Sequence, residues 1–528
     1  MTDKKESKYI YLHNKKYNIT YVYENYPYWS KENKRSQAKR ICIGKIDKIT
    51  GDIVPTGKNK HALPKESFIS KRSFYGATYL LNSIGQKLGI IDDLKHCFPD
   101  DYQQILSIVF YMILEDKNPL SRFEKWGSLH HHPCGHNISS QRSSELFASI
   151  TESAKTKFFQ LQGKRRAENE YWAYDVTSIS SYSQTLKQIQ YGYNKEHDKL
   201  PQLNLALVYG EESGLPFYYR RLAGNIPDVI TVKNLVSDLK TYGFDRVKLV
   251  GDRVMSSEDN INELYKEGYK FLLSTDNRKK MIRFYIDEAK KTIHSFDCFD
   301  PNFKYKGYTI TSFWNYKQAR PYKKDTLKDK KRIYVHVYYN EEKYIEESQQ
   351  LDAKLAILRE ELLIGNIVES NESLYKKYFD VRKRSKGKNR VKAKDDVIQE
   401  CKKYYGYFVL LSNDIKDTWE ALTLYRMKDV VEKAFGNFKE RLNMRRLLVS
   451  SERSLEGKLF VAFVALIFLS YVHKQMSIKK LYKDYTMYEL FDKLDVIECF
   501  EHVGKKLRVG EMVEKQIKLY KAMEVKIP

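Results

Sequence analysis

The sequence has few of the features that mark secreted, zinc-ribbon and membrane proteins. Only six of its 528 residues are cysteine, and they are scattered without a C-x-x-C pair. Nothing at the N-terminus resembles a signal peptide. The apolar run at residues 459–472 is shorter than the roughly twenty residues that a membrane-spanning helix needs, which predicts a buried core helix. We therefore expect a protein of the reducing cytoplasm, with no membrane partner.

Acidic residues are also outnumbered. Lys and Arg total 93 against 68 Asp and Glu, and the formal net charge is +25 with a pI of about 9.3. Such a charge attracts polyanions over long range and favours a nucleic-acid protein. Ribosomal and membrane-surface proteins share this balance, so charge alone does not select among them. The length predicts several domains.

One charged pattern lies near the C-terminal end of the chain, with the spacing Y-x2-K-x3-E-x6-K at Tyr425, Lys428, Glu432 and Lys439. On one continuous helix these four side chains share a narrow face. Apolar residues lie on the adjoining arc, so the helix is predicted to pack on a core and hold Glu432 at its rim. The simpler alternative is an amphipathic helix with a solvated charged edge.

Two further carboxylates fall in predicted strands. Residues 171–182, YWAYDVTSISSY, form an aromatic and β-branched run that contains Asp175. Residues 247–252, VKLVGD, read as a short strand that ends at Asp252, where ligands bind in open α/β sheets. Each aspartate alone is explained as well by an edge strand or a turn. With Glu432 they make the three carboxylates that can hold two divalent ions for phosphoryl transfer.

These motifs together resemble the bacterial insertion-sequence transposases of the DDE type, whose signature is Y-x2-R-x3-E-x6-K. The resemblance covers most of residues 171–274 and 404–472, and Lys428 stands where the family usually has arginine. An ammonium pairs with phosphate as a point charge, without the bidentate fork of a guanidinium. The resemblance implies a ribonuclease H-like α/β fold, a mixed sheet with helices on both faces.

The resemblance also implies an activity. Asp175, Asp252 and Glu432 would bind two Mg²⁺ ions, with Mn²⁺ as a substitute, and Tyr425, Lys428 and Lys439 would position phosphates. The enzyme would bind the terminal inverted repeats of its element, cleave the ends and join them to target DNA. Its partners would be double-stranded DNA and a second copy of the chain, in the bacterial cytoplasm.

The stretch between Asp252 and Glu432 is far longer than one strand and its connection need, so we predict an insertion. The predicted domains are a β-rich unit, a helical DNA-binding region, two catalytic parts that flank the insertion, and a helical C-terminal region. Their boundaries are 1–65, 66–168, 169–279 and 404–475, 280–403, and 476–528. No base-reading residue is evident.

Two features of the insertion suggest DNA contact. The first is the basic tract at residues 382–394, with Arg382, Lys383, Arg384, Lys386, Lys388 and Arg390. The second is Trp314, because related transposases carry an insertion that can hold a flipped base by stacking. A solvated loop and a core tryptophan are the simpler alternatives.

The segment at residues 130–136, HHHPCGH, brings four histidines and one cysteine together. Zinc sites normally take their ligands from two separated pairs, so this segment is predicted to be a surface loop.

Two other functions stay open. A ribonuclease H-like nuclease or resolvase would cleave without joining, and a host-adapted DNA-binding protein would keep the fold without catalysis. Carboxylates at all three positions argue against the second, and the long N-terminal region and insertion argue against a minimal nuclease.

Overall fold

The computed structural model describes most of the chain, in the ranges 9–30, 35–47, 51–54, 56, 71–115, 119–166, 170–183, 186–192, 200–225, 228–244, 247–382, 389–442, 444, 451–502 and 506–528. A small antiparallel sheet comes first, in the spatial order β1-β2-β3-β4. Its strands are β1 (Tyr9–Asn14), β2 (Ile19–Ser30), β3 (Arg35–Ile46) and β4 (Ile53–Val54). The predicted β-rich N-terminal unit is therefore present.

A helical region follows, introduced by strand β5 (Lys71–Phe74). Its members are α1 (Gly76–Lys87), α2 (Ile90–Cys97), α3 (Tyr102–Leu114), α4 (Phe123–Leu129), α5 (Ser140–Ser149) and α6 (Glu152–Arg165). Their apolar residues recur at helical spacing, and one stripe of α1, with Leu80, Leu81 and Ile84, is fully buried. These helices bury their apolar faces in the main hydrophobic core.

The central sheet begins with an antiparallel meander and continues through parallel strands. Its first elements are β6 (Trp172–Ser180), β7 (Gln202–Gly210), β8 (Leu215–Ala223), α7 (Asp228–Thr241), β9 (Lys248–Gly251), α8 (Glu258–Lys266), β10 (Lys270–Thr275) and α9 (Lys280–Ala289). The five strands lie in the order β8-β7-β6-β9-β10, with β9 parallel to both β6 and β10. This is the ribonuclease H-like order.

Residues 280–403, predicted as an insertion, form two parts. The first extends the sheet through β11 (Phe299–Asp300), β12 (Tyr305–Arg320) and β13 (Asp325–Tyr339). The second is a helical unit with a small core of its own. It contains α10 (Glu341–Ile364), α11 (Glu372–Tyr378), β14 (Phe379–Arg382), β15 (Arg390–Ala393) and α12 (Asp395–Lys402).

The chain then returns to the sheet through β16 (Tyr407–Ser412), which lies between β13 and β10. Helices α13 (Thr418–Met427) and α14 (Asp429–Gly436) follow. Val250 and Leu272 on one face of the sheet pack with Ala421 and Leu422 of α13, whereas Leu249 and Phe271 point into the main core on the other face. The predicted fold, a mixed sheet with helices on both faces, is confirmed.

The last elements are α15 (Glu452–Ile478), α16 (Met487–Asp495), β17 (Glu498–Glu501), β18 (Arg508–Val509) and α17 (Glu514–Ala522). Helix α15 has the length and apolar composition to cross a membrane, but 89% of its most apolar window is buried inside the protein. It packs against α3, α5 and β8. The sequence-based prediction of a buried core helix is confirmed.

The C-terminal elements fold back onto the first helical region. Strand β17 pairs with β5, and the Tyr520 hydroxyl donates a hydrogen bond of 2.9 Å to the carbonyl oxygen of Gly76. Residues 66–168 and 476–528, predicted as separate regions, are therefore in direct contact.

The histidine-rich segment departs from the prediction of a surface loop, because His130 and His132 are both buried. His130 stacks on Trp126 at 4.6 Å, and its Nε2 lies 2.9 Å from a carboxylate oxygen of Asp495. The Nδ1 atom of His132 lies 3.0 Å from Ser107 Oγ, and burial lowers the pKa of His132 to about 4. These two histidines are part of the core.

Candidate active site

The pairing of β6 with β9 places Asp175 and Asp252 side by side. Ala173 is opposite Val250 in this parallel pair. Asp175 lies two positions after Ala173, and Asp252 lies two positions after Val250. Because side chains alternate along a strand, both carboxylates fall on the face that α13 covers. Asp175 is the only partly exposed residue of β6, and Asp252 lies just beyond the end of β9.

The sequence pattern had predicted one continuous helix for the segment with the Y-x2-K-x3-E-x6-K pattern. In the structure this segment is divided into two α-helices and a π-helical turn. Helix α13 ends at Met427, Lys428 is the junction, and α14 begins at Asp429. A π-helical turn, Asn437–Arg441, follows α14 and carries Lys439. The side chains differ in burial: Lys428 and Lys439 are buried, whereas Glu432 is exposed.

The junction places Lys428 against the first pair of carboxylates. Its Nζ lies 2.6 Å from Asp252 Oδ1, and the side chain is only 6% exposed. The hydroxyl of Tyr425 donates to the same oxygen over 3.1 Å. The ammonium and the phenol thus converge on Asp252 from one turn of backbone.

Charge at this site is set by the two aspartates. Burial alone would lower the pKa of Lys428, but the negative charges of Asp175 and Asp252 outweigh burial and hold that pKa above its ordinary value. Burial, with the charge of Asp252, raises the pKa of the Tyr425 phenol. Lys428 therefore stays an ammonium and Tyr425 a neutral donor at physiological pH.

The donor set fits a hard divalent cation in part. Carboxylate oxygens are the ligands that Mg²⁺ prefers, and a cation, the Lys428 ammonium, already lies at these aspartates. Within the described ranges, however, no three Asp, Glu, His or Cys side chains are grouped closely enough to hold one ion. Asp175 and Asp252 are brought together, and Glu432 is not grouped with them.

The other predicted contact residues have different environments. Arg382 ends β14, Arg390 begins β15, and both are exposed, while Lys383, Arg384, Lys386 and Lys388 lie outside the described residues. Trp314 is 8% exposed, and its Nε1 donates to Asn262 Oδ1 at 2.9 Å. The ring is therefore largely buried, which favours the core alternative over base stacking.

A cleft of about 750 Å³ opens beside Tyr425, between the sheet and the helical unit. Six cationic side chains line it against two carboxylates, Asp276 and Glu347. The cations are Arg253, Arg278, Arg283, Lys343, Lys377 and Arg426. Its lining also includes several tyrosines, and Arg283 Nε is buried without a hydrogen-bond partner among the described residues.

This basic cleft was not predicted from the sequence. Two of its arginines immediately follow predicted site residues, since Arg253 comes after Asp252 and Arg426 after Tyr425. That adjacency was the available signal. Of the other cations, Arg278 lies in the turn before α9, and the rest lie on α9, α10 and α11, which only the folded sheet brings to one cleft.

Comparison with known proteins gives a family match and similar solved structures. The family described as "Transposase DDE domain" matches residues 170–468. Among solved structures, a piggyBac transposase synaptic complex with hairpin DNA is similar, with 11% sequence identity and a TM-score of 0.32. That match covers 78% of this chain and 70% of the other. No curated protein matches significantly.

Proposed function

Because the chain belongs to the family of transposases with a DDE domain, we propose that it excises and inserts an insertion sequence by metal-dependent phosphoryl transfer. It would bind the terminal inverted repeats, cleave the element ends and join them to target DNA in the bacterial cytoplasm. The observation that carries the proposal is the juxtaposition of Asp175 and Asp252 with the Lys428 ammonium.

Asp175, Asp252 and Glu432 are the residues that would hold the metal ions. Two Mg²⁺ ions, or Mn²⁺ in their place, supply activation of a water or 3′-hydroxyl nucleophile and stabilisation of the leaving oxygen. Glu432 lies on α14, and this helix contacts β6, the strand that carries Asp175.

The chain's own residues orient the DNA. Lys428 neutralises the aspartates and offers its ammonium to a phosphate oxygen. The Tyr425 hydroxyl donates its single proton to Asp252 and would donate it to a second phosphate oxygen in place of that carboxylate, and Lys439 is a further cation on the same segment. The cleft that Arg253 and Arg426 line continues this positive surface, and the basic tract from Arg382 to Arg390 would add backbone contacts.

The carboxylates are tested by isosteric replacement. We expect Asp175→Asn, Asp252→Asn and Glu432→Gln each to abolish cleavage in Mg²⁺ while leaving end binding largely intact, because most binding energy comes from basic contacts elsewhere. The assay incubates the protein with DNA that carries the element's own flanks and sequences excised and joined products. Joined products separate a transposase from a nuclease that only cleaves.

The matched control is Asp259→Asn, which removes an exposed carboxylate in the first turn of α8. We expect its cleavage rate to equal that of the wild type. Cleavage at the wild-type rate by one of the three variants would remove that residue from the site, and loss in the control would move the assignment to Asp259.

A further inference from the structure

The small N-terminal sheet contains a two-stranded segment that no described strand flanks. Strand β1 pairs with β2 only as far as Glu24, and β4 pairs with β3 only at Lys45 and Ile46. Beyond these points residues 25–30 of β2 pair with residues 35–40 of β3 alone. We call these twelve residues the open ribbon.

Large aromatic side chains stand on both faces of the open ribbon. Trp29 is 65% exposed, Tyr28 51% and Tyr26 44%. Tyr26 and Tyr28 point to one face and Trp29 to the other, because side chains alternate along a strand. An isolated two-stranded ribbon is marginally stable in water, so a partner that covers these rings would stabilise it.

Cations alternate with these rings. Lys39 lies opposite Tyr26, Arg40 opposite Asn25, and Arg35 opposite Ser30, and all three cations are exposed. The open ribbon contains no aspartate or glutamate. Its partner must therefore accept positive charge on both faces and apolar contact between the charges.

Double-stranded DNA meets both requirements. Six paired residues span roughly 20 Å, and the major groove admits a two-stranded ribbon. In that groove phosphates lie on either side of the ribbon, and thymine methyl groups and base edges lie below it.

We propose that the open ribbon is a DNA-binding element that lies in the major groove, with Arg35, Lys39 and Arg40 on phosphates and Tyr26, Tyr28 or Trp29 against base edges. This rests on the proposed function only in the choice of DNA as the ligand. It does not depend on the metal site.

The test measures DNA binding without cleavage, in the full chain that carries Asp252→Asn. Fluorescence anisotropy gives Kd for a duplex with the element end and for an unrelated duplex of equal length, at several salt concentrations. The triple variant Arg35→Gln, Lys39→Gln, Arg40→Gln should flatten the slope of log Kd against log salt by about 2 to 3, since each phosphate contact contributes about 0.9. Trp29→Ser should weaken binding and leave the slope unchanged.

The control is Lys515→Gln, Lys518→Gln, Lys521→Gln, which removes the same charge from the exposed side of α17. It should leave the slope as in the wild type. Methylation of guanine N7, which lies in the major groove, should block binding of the wild type at the ribbon's position and have no effect there on the triple variant.

Two results would overturn the proposal. One is an unchanged salt slope in the ribbon triple variant. The other is a dimer of the wild type, seen by sedimentation without DNA, that Trp29→Ser converts to monomer, because the open ribbon would then be a subunit contact. If the triple variant changes the salt slope and Trp29→Ser weakens binding, but the wild type never cleaves DNA, the DNA-binding role of the open ribbon would stand and only the proposed activity would be refuted.

Discussion

Lys428 is the cation that allows two aspartates to lie side by side on adjacent strands. Its Nζ contacts Asp252 directly, and the charge of Asp175 also acts on it. Lys428 is also the one residue between α13 and α14, so the residue that separates the two helices is the residue that pairs with Asp252. At this position the family signature usually has arginine, with a planar guanidinium, whereas this chain has the compact ammonium of lysine.

Replacing Lys428 should affect chemistry more than binding. We expect Lys428→Ala to lower cleavage or strand transfer by about 100-fold, the size typical for loss of one preorganised donor, with a small change in end binding. Lys428→Arg should retain activity or raise it, because guanidinium keeps the charge and adds the fork. Single-turnover cleavage and anisotropy with the same end duplex measure both steps.

Lys433→Ala, which removes an exposed lysine of α14, is the matched control and should behave as the wild type. A melting measurement adds a readout that is independent of activity: in EDTA the alanine variant should melt lower, because its aspartates lack a countercharge, and Mg²⁺ should restore more stability to it than to the wild type. Equal activity and equal melting would make Lys428 a packing residue, and the phosphate role would rest on Lys439.

The buried carboxylate of Glu211 predicts how stability depends on pH. Glu211 follows β7, and neither of its carboxylate oxygens has a hydrogen-bond partner among the described residues. Burial, with the nearby charge of Glu170, raises the pKa of Glu211 from 4.5 to about 8. Between those values the folded state binds more protons than the unfolded state, so stability is fully present below the lower pKa and is lost as pH rises toward the upper one.

We therefore expect the free energy of unfolding to fall between about pH 5 and pH 8, by up to about 1.4 kcal/mol per pH unit from this group. Glu211→Gln should flatten the fall, and Glu212→Gln, at an exposed neighbour, should leave it unchanged. Urea unfolding at a series of pH values measures the slope. An equal slope in the wild type and Glu211→Gln would show that Glu211 is hydrated in solution.

At the scale of elements, the strands were predictable and the helix junction was not. Strands β6 and β9 are short aromatic or apolar runs, and the strands predicted at residues 171–182 and 247–252 match them within a few residues. The break at Lys428 was missed because the apolar period runs through it and lysine is a good helix former. The break therefore left no mark in composition.

Contacts between elements that are distant in the chain were also not predicted from the sequence. His130 and His132 are buried because Trp126, Ser107 and Asp495 supply a ring and polar partners, and two of those residues are far away in the chain. Trp314 is held by Asn262 of α8 in the same way. Such partners depend on tertiary packing, so residue patterns alone give histidine and tryptophan a surface position or a ligand role.

For the molecule as a whole, the helical unit of residues 341–405 is inserted between two paired antiparallel strands, β13 and β16. Tyr339 of β13 pairs with Tyr407 of β16, and the Asn340 N–H donates to the Gly406 carbonyl at 2.9 Å. The chain therefore leaves and re-enters the sheet at adjacent positions. Direct joining of Asn340 to Gly406 would create Tyr-Asn-Gly-Tyr, and Asn-Gly is the preferred two-residue hairpin loop.

We predict that deletion of residues 341–405 leaves a cooperatively folded protein with the central sheet intact and a somewhat lower melting temperature, measured by circular dichroism. Deletion of residues 340–405 is the control, because its one-residue loop cannot join Tyr339 to Tyr407 in register. Failure of both deletions to fold would mean that the helical unit supports the sheet. Folding of both would mean that the register is not fixed there.

The pairing of β5 with β17 makes the order of synthesis matter. Gly76 and Tyr520, which form one hydrogen bond, are 444 positions apart, and at about 5–20 residues per second the ribosome needs roughly 20–90 s to make the second after the first. During that interval the N-terminal helices emerge without the strand and helices that cover them. The nascent chain therefore carries exposed apolar surface until translation reaches α17, which makes this region a natural client for chaperones.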